Sequence, residues 1–363
     1  MKKKFCRIGD LQIKHKKLIV FRCDGGGLSG IGMGHVKRSL LIANKLCENK
    51  NIKKKNIIFV ARKNSNFKHG YNQIKFQGYL VIKCNDKHLK PNSKEELHQL
   101  TKLNPSLIIF DRHATTKKII NNIKEKKINV VSFDDIGSGS KFTDKTINAI
   151  LKSKHKSSNI LNGYKYLFLD DLKKNKYKSK SKNVTKLFIS FGGYDKRKLI
   201  KFFLDAVSLD QNLIDLNLNY RVYTNILQRE YKCELLKKIH KIKKKKINVK
   251  LISNSKNFYK NLAISDVAIV NGGLTVFDAI KFKIPTIAIP QYVHQLNTLT
   301  KLNKMGIVLV GSKKMSLSKA KLVKNLLILI EDANKRKSLE RNMTKFLKLS
   351  STGTVLNEII KLI

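Results

Sequence analysis

A glycine-rich segment that ends in a histidine is the part of this sequence best suited to phosphate chemistry. It runs Phe21-Arg-Cys-Asp-Gly-Gly-Gly-Leu-Ser-Gly-Ile-Gly-Met-Gly-His35, between an apolar strand-like run and a helical pattern. Glycine lets backbone N–H groups approach a ligand closely, and a helix start presents unpaired N–H donors and a positive dipole. No Gly-Lys-Ser/Thr follows, and no convincing acidic residue ends the second strand. A phosphate-binding loop is therefore predicted, but neither a Walker A loop nor a dinucleotide fingerprint.

His35 is the candidate general base. The dipole at a helix start disfavours an imidazolium, so we expect an uncharged ring near pH 7. An uncharged imidazole can take a proton from an attacking water or hydroxyl group. The alternative is a histidine that only caps or packs against the helix, and the residue types alone do not decide between the two.

Two more glycine pairs follow strand-like runs in the second half of the chain. One lies in Phe191-Gly-Gly-Tyr-Asp195, and the other lies in Val270-Asn-Gly-Gly-Leu-Thr-Val-Phe-Asp278. A helix that begins near Leu274 would suit a pyrophosphate held by backbone N–H groups without a metal. Asp278, one turn into that helix, could accept hydrogen bonds from ribose hydroxyls. The alternative is that the glycines only form tight turns and that Asp278 only complements the helix dipole.

Polar side chains at other strand ends are further candidates for contacts with phosphate or sugar. They are His294, Gln295 and Asn297 in the second half, and Asp111, Asp134 and Asp135 in the first. Paired carboxylates could serve as acid and base or as ligands of a divalent metal. The alternative for all of these residues is ordinary capping of the next segment.

Strand-like runs alternate with helical patterns along the whole chain. The predicted strands are Leu18–Arg22, Ile57–Ala61, Leu80–Lys83, Leu107–Phe110, Asn129–Phe133, Lys186–Phe191, Tyr220–Tyr223, Val249–Ile252, Val267–Val270, Thr286–Ile289 and Val308–Val310. Alternation of this kind favours parallel sheets with helices on both faces, and runs such as Leu-Ile-Ile-Phe suit strands covered on both sides. The sequence predicts helices at His35–Cys47 and Thr116–Glu125.

The fold class predicted from this pattern is α/β, with two doubly wound Rossmann-like domains. They would comprise residues 1–172 and 187–363, joined by a polar, lysine- and serine-rich linker at 173–186. Ligands of such sheets lie beyond the carboxyl ends of the strands. Two facing domains would therefore place the site in the cleft between them.

The net charge of +51 is the most unusual property of the composition. Only 10 of the 76 basic residues are arginine, and the lysines are spread over both halves. Nucleic-acid-binding proteins rely on arginine and concentrate their charge on one face. We therefore attribute the charge to compositional bias and expect no specific nucleic acid partner. Weak adsorption to an anionic membrane surface is expected, and a polyanion- or RNA-binding protein is the remote alternative.

The remaining composition favours a cytoplasmic enzyme. The sequence has no run of 18 apolar residues and no recognisable signal peptide, and its five cysteines are scattered. No Cys-x-x-Cys pair or Cys/His cluster has metal-binding spacing, so reduced thiols and no metal site are predicted.

Taken in order, these segments resemble the UDP-2,4-diacetamido-2,4,6-trideoxy-β-L-altropyranose hydrolase family of pseudaminic acid biosynthesis. That family is related to the MurG-like glycosyltransferases and has the GT-B fold, in which two domains face each other across a cleft. The resemblance covers Leu18 to Val310. It rests on FRCDGG, IGMGHVKRSLLIANKL, LIIFDRH, VSFDD, FISFGGYDKRKL and VNGGLTVFDAIKFKIPTIAIPQYVHQLNT.

The resemblance implies a UDP-sugar substrate and no cofactor, with His35 activating a water molecule at the anomeric carbon. The expected substrate-binding residues are Arg22, Asp24, Gly32, Gly34, His113, Gly192, Gly193, Gly272, Gly273, Leu274, Thr275, Asp278, His294 and Gln295. Of these, His113 and His294 stand on the sugar side, where the hydrolases tend to carry Tyr and Asn. A glycosyltransferase of the same fold, acting on a lipid or saccharide acceptor, is therefore the alternative.

Overall fold

Two separate sheets, both parallel throughout, form the framework of the protein. The computed structural model describes residues 18–26, 32–48, 52–82, 86–151, 153, 155–169, 183–192, 194–224, 229–252, 257–312 and 314–363. Helices cover the sheets and the two domains face each other across a cleft. The structure therefore confirms the predicted fold class of two doubly wound domains. Gly193, Cys6, Cys84 and positions 173–182 of the predicted linker lie outside the described residues.

The first sheet has seven strands in the order β3-β2-β1-β4-β5-β6-β7. They are β1 Ile19–Cys23, β2 Ile57–Val60, β3 Leu80–Val81, β4 Leu107–Asp111, β5 Asn129–Phe133, β6 Lys145–Asn148 and β7 Ile160–Asn162. The α-helices of this part are α1 Gly34–Cys47, α2 Lys68–Phe76, α3 Lys94–Thr101 and α4 Lys117–Lys124, and short 3-10 helices lie at Lys54–Asn56, Asp86–Leu89, Ser138–Lys141 and Tyr164–Tyr166.

The second sheet has six strands in the order β10-β9-β8-β11-β12-β13. They are β8 Lys186–Ser190, β9 Asn219–Tyr223, β10 Asn248–Ile252, β11 Val267–Asn271, β12 Thr286–Ile289 and β13 Leu309–Val310. The helices that follow β8 are α5 Leu199–Val207, α6 Gln211–Asp215, α7 Arg229–Lys243, α8 Phe258–Ala263, α9 Leu274–Lys281, α10 Val293–Lys304, α11 Lys319–Glu331, α12 Ala333–Leu347 and α13 Thr352–Ile360.

Alternating side chains of the central strands supply the cores on the two faces of the first sheet. In β1, Ile19, Phe21 and Cys23 pack on one face, and Leu18 and Val20 pack on the other. Successive side chains of a strand point to opposite faces, so a run of apolar residues is what a strand covered on both sides requires. The apolar runs of the sequence thus fix the central strands.

Strands β6 and β7 were missed by the sequence pattern. Each is short, and Lys145-Thr-Ile-Asn contains a single strongly apolar residue, Ile147. Ile147 is fully buried, and so are the polar side chains of Thr146 and Asn148, whose hydroxyl and side-chain amide form hydrogen bonds. Strand β6 therefore buries polar side chains, and the edge strand β7 has only three residues, so neither carries an apolar run for the pattern to detect.

The last helix of the chain packs on the first domain, although it follows the second sheet in sequence. Val355 and Ile359 of α13 are fully buried in the same cluster as Phe21 and Phe59. The side-chain amide of Asn129 also donates to the carbonyl oxygen of Leu362 at 2.8 Å. The C-terminus therefore contributes to the core of the first domain.

Candidate active site

The strand order of each sheet reverses at one point, and the loops that leave these points form the cleft. In the first sheet the reversal lies between β1 and β4, and in the second it lies between β8 and β11. Loops that leave adjacent strands in opposite directions open a crevice at such a switch point. Both switch points face the same cleft, which has a volume of about 360 Å³.

His35 and Asp111 meet at the switch point of the first sheet. His35 is the second residue of α1, which follows β1, and Asp111 is the last residue of the adjacent β4. The Nδ1 atom of His35 lies 2.6 Å from Oδ1 of Asp111. The side chain of Asp111 is 1% exposed and that of His35 is 17% exposed. His35 therefore borders the cleft, and the buried carboxylate of Asp111 contacts it from the side away from solvent.

The ionisation of Asp111 determines which nitrogen of His35 carries the proton. Burial alone would raise the pKa of Asp111, but the guanidinium of Arg38 and, to a smaller extent, His35 lower it well below its usual range. A carboxylate can only accept hydrogen bonds, so Nδ1 of His35 must donate. When the ring is uncharged, Nε2 then has a free lone pair.

Arg38 joins this pair from the same helix. Its Nε donates to Oδ2 of Asp111 at 2.8 Å, and its Nη2 donates to Oδ1 at 2.6 Å. Its Nη1 forms an ion pair with Asp134. Asp134 adopts a left-handed backbone conformation with φ of 47°, and its Oδ1 accepts from the N–H groups of Ile150 and Leu151.

The start of α9 forms the opposite wall of the cleft. Gly273 caps the helix, and a side-chain amide of Asn271 donates to the carbonyl oxygen of Phe191 at 3.0 Å, which ties the loops after β8 and β11 together. Gly192 has a φ of +86°, which favours glycine. A Cβ on Gly34 would lie 3.4 Å from Leu274, so the starts of α1 and α9 approach each other across the cleft.

Three histidines and a tyrosine form a continuous aromatic cluster across the cleft. The ring centroids of His35 and His113 are 4.7 Å apart, and those of His113 and His294 are 5.5 Å apart. Tyr292 stacks on His294 at 5.5 Å. The cluster begins in the first domain and ends in the second, so it spans the two walls of the site.

His113 and His294 of the cluster are held uncharged. Loss of hydration and then the proximity of His35 lower the pKa of His113 to about 4. Burial is also the main cause of the lowered pKa of His294, while Asp134 opposes the shift and His35 adds to it. At neutral pH these rings can therefore both donate and accept hydrogen bonds.

Most of the residues predicted to bind substrate line this cleft. They are Gly32, Gly34, His35, His113, Gly192, Gly272, Gly273, Leu274, Thr275, Asp278, His294 and Gln295. Gln295 also has a structural contact, because its Oε1 accepts from the N–H group of Gln291 at 2.9 Å. Their binding roles stay predictions, but the structure brings them together.

Arg22 and Asp24 do not line the cleft, and their placement does not support the predicted substrate role. Nη1 of Arg22 lies 2.9 Å from Asp24, and its Nε lies 2.6 Å from Glu96. Asp24 also accepts from Arg62 at 2.8 Å. Burial alone would raise the pKa of Asp24, but Arg22 and Arg62 outweigh it and lower the pKa to about 2. These charges are already satisfied inside the first domain.

Asp135 has a structural role that the sequence left open. It is fully buried and accepts from the backbone N–H of Thr115 at 3.0 Å, from its hydroxyl at 2.5 Å, and from the N–H of Gly137 at 2.9 Å. It therefore ties two loops together. Within the described ranges, no group of three or more His, Cys, Asp or Glu side chains has an arrangement that could hold a metal ion.

Sequence reasoning missed several residues of the cleft. They are Met33, Lys37, Arg38, Ile150, Leu151, Tyr194, Gln291 and Tyr292. Arg38 could have been found, because it lies one helical turn after His35 and therefore on the same face of α1. Met33, Lys37, Tyr194, Gln291 and Tyr292 lie inside the quoted sequence segments but were not singled out, whereas Ile150 and Leu151 reach the cleft through the fold.

Among curated proteins, an uncharacterized protein of Methanocaldococcus jannaschii is similar in sequence. It is 27% identical over 277 residues, which cover 72% of this chain and 53% of that protein. The chain thus spans about half the length of the curated relative it matches. No family model matches the chain.

Solved structures identify the fold. MurG of Acinetobacter baumannii has a TM-score of 0.65 and 12% identity, and the match covers 95% of this chain and 99% of that one. HepE of Anabaena, solved in complex with UDP, has a TM-score of 0.63 and 12% identity over 95% of this chain and 98% of its own. The chain therefore has the GT-B fold. In the part of the chain that the structure describes, no helix is long and apolar enough to cross a membrane.

Proposed function

We propose that the protein is a UDP-sugar-dependent enzyme that transfers the sugar to a hydroxyl group, with His35 as the general base. The observation that carries the proposal is the hydrogen bond between His35 and Asp111 at the edge of a cleft whose other wall is the start of α9. The glycosyltransferases among the structural neighbours, and HepE with its UDP, support a nucleotide-sugar as the substrate.

The proposed reaction is a displacement at the anomeric carbon. Nε2 of His35 takes the proton of the attacking hydroxyl while its oxygen bonds to the anomeric carbon. The bond between that carbon and the diphosphate oxygen breaks, and UDP leaves. The N–H groups at the starts of α1 and α9 stabilise the charge that grows on the diphosphate.

Hydrolysis, with water as the attacking group, is the second candidate. It is favoured by the resemblance of segments such as IGMGHVKRSLLIANKL and VNGGLTVFDAIKF to the hydrolase family. The two candidates share the donor, the base and the leaving group. They differ only in what occupies the space next to Nε2 of His35.

Release of UDP, measured with and without acceptors, tests the proposal. The protein is incubated with UDP-sugars alone and then with saccharide and polyprenyl-lipid acceptors. Release that requires an acceptor supports transfer, and equal release without one supports hydrolysis. His35→Ala should abolish either activity, whereas His240→Ala, a change at an exposed histidine of α7, should not. Full turnover by His35→Ala, or failure of the wild type to bind any UDP-sugar, would contradict the proposal.

A further inference from the structure

The carboxylate that supports His35 is itself held by a second side chain of the same helix. Arg38 follows His35 by one turn of α1, so both side chains project toward the end of β4. Oδ1 of Asp111 accepts from both His35 Nδ1 and Arg38 Nη2, each at 2.6 Å, and Oδ2 accepts from Arg38 Nε at 2.8 Å. Arg38 therefore fixes both oxygens of the carboxylate, whereas His35 contacts one.

We infer that Arg38 is a positioning residue, which sets the orientation of Asp111 and through it the tautomer of His35. Apart from Arg38, the Asp111 carboxylate accepts only from His35 Nδ1 at 2.6 Å and, at the longer distance of 3.4 Å, from the Ser39 hydroxyl, so without Arg38 it would be held less firmly. A guanidinium that binds both oxygens fixes their orientation, because its planar fork matches the carboxylate plane. Nδ1 of His35 is then kept as the donor, and Nε2 faces the cleft as the acceptor. The effect of Arg38 on catalysis rests on the proposed function, in which His35 is the general base.

Arg38 and its two carboxylate partners form a buried group of paired charges. The Arg38 side chain is 7% exposed, and those of its partners Asp111 and Asp134 are 1% and 3% exposed. Burial alone would lower the pKa of Arg38, but the two carboxylates outweigh it and raise that pKa, so the guanidinium stays charged. The Arg38 guanidinium also lies over the ring of Phe133, 5.3 Å from its centroid.

The second anchor of Arg38 is fixed independently of the histidine. Asp134 accepts from two consecutive backbone N–H groups, those of Ile150 and Leu151, at 3.0 and 3.1 Å. Its backbone is held in the left-handed region. The loop at Ile150 therefore holds Asp134, which holds Arg38. Arg38 in turn holds Asp111, and Asp111 holds His35.

Other titratable groups lie around the same part of the cleft and have to be held constant in any test. His113 follows β4 and His294 belongs to α10, and both lie in the aromatic cluster with His35. Lys37 lies on α1 with its ammonium 4.9 Å from the ring centroid of Phe258. None of these groups binds Asp111 in the described structure, so substitutions at Arg38 leave them in place.

Two variants test whether Arg38 acts through the geometry of its guanidinium or only through its positive charge. Arg38→Lys keeps the positive charge but loses the planar fork. Arg38→Met combined with Asp134→Asn removes one positive and one negative charge, so the net charge of the buried group is unchanged, although Asp111 loses the Arg38 cation in this variant. Arg341→Met, a change at an exposed residue of α12, is the matched control.

The first measurement is the tautomer of His35, from long-range proton–nitrogen NMR correlations of the imidazole ring, assigned by comparison with His35→Ala. In the wild type and in Arg341→Met we expect Nδ1 to be protonated and Nε2 to be bare. In both Arg38 variants we expect the second tautomer to become populated. This measurement needs no substrate, so it decides the inference even if no UDP-sugar is turned over and the proposed function fails.

The second measurement is steady-state kinetics with whichever UDP-sugar the wild type uses. Both Arg38 variants should lose about 10–100-fold in kcat with KM changed by about twofold or less, because the lost interaction acts on the base and not on donor binding. Near-ultraviolet circular dichroism confirms that each variant is folded. A wild-type tautomer in either folded Arg38 variant would overturn the inference, as would wild-type kcat.

Discussion

His35 Nδ1 and Asp111 Oδ1 lie 2.6 Å apart, although the two residues are 76 positions apart in the chain. They meet because β1 and β4 are neighbours at the switch point of the first sheet, where Cys23 pairs in register with Asp111. The start of α1, the helix that follows β1, carries the histidine, and the end of β4 carries the carboxylate. Sheet topology therefore brings together the proposed base and the carboxylate that hydrogen-bonds to it.

Replacement of Asp111 by Asn should remove most of the activity without removing the nucleotide site. The amide cannot hold Nδ1 of His35 as a donor with the strength of a carboxylate, so kcat should fall by about 10²–10⁴-fold. The dissociation constant of UDP should change by about twofold or less, because the wall around α9 is untouched. Calorimetric titration with UDP and an assay of UDP release measure the two effects. Loss of UDP binding with retained turnover would contradict the assigned roles.

Replacement of Gly272 by Ala should disturb the start of α9, the wall of the cleft where we propose that UDP binds. A Cβ at this position would lie 2.9 Å from side-chain atoms of both Gln295 and Leu299, where the loop before α9 packs against α10. We expect a loss of about 1–3 kcal/mol in the free energy of unfolding, together with weaker UDP binding. Gly353→Ala is the control, because the nearest atom to its Cβ is 3.7 Å away. Equal stability and equal UDP affinity in the two variants would show that the close packing at Gly272 has no such effect.

The uncharged histidines of the cleft predict a defined loss of stability in mild acid. The folded state lowers the pKa of His113 to about 4, and it also lowers that of His294, below the value of about 6.5 for a free histidine. As the pH falls from 6.5 toward 4, the unfolded chain therefore binds more protons than the folded one, and the free energy of unfolding decreases. Urea unfolding between these pH values measures the slope.

The matched variant for this pH dependence is His113→Asn. It should unfold with a smaller slope over the same pH interval, because one of the two contributing groups is gone. The control is His240→Asn, at an exposed histidine. If His113→Asn and His240→Asn kept the same slope as the wild type, His113 would not be the group that resists protonation.

The C-terminal helix should be needed for the stability of the first domain. Ile359 is fully buried in the core with Phe21, and its neighbour Ile360 is 37% exposed. Ile359→Ala should lower the free energy of unfolding by about 2–5 kcal/mol, since it leaves a cavity in a packed core. Ile360→Ala should cost about 1 kcal/mol or less. Similar losses in the two variants, measured by urea unfolding, would contradict the packing of α13.

The sequence predicts the central strands and the glycine loops well because both depend on local residue types. Strands β1, β4 and β11 are apolar on both sides, and the glycines before Leu274 lie where α9 begins. The cleft residues of the second domain follow from the same local signals. Their placement in one site then needs only the rule that loops at the carboxyl ends of parallel strands lie together.

The pairwise contacts of the site could not be predicted, since they depend on side chains distant in sequence. The sequence allows Asp111 to be an acid, a base, a ligand of a divalent metal or a cap, but its contact with His35 requires knowledge of the strand order. Arg22 and Asp24 lie in a motif that resembles a substrate site, yet they form ion pairs with Glu96 and Arg62 inside the first domain. Charge alone does not tell whether a residue meets a ligand or another residue.

The decisive measurement is a crystal structure of the protein with UDP bound. We expect the diphosphate to lie between the start of α1 and the start of α9, within hydrogen-bond distance of the N–H groups near Gly273, and with Nε2 of His35 facing the terminal phosphate. A nucleotide bound outside the cleft, or a diphosphate held only by side chains away from α9, would contradict this prediction.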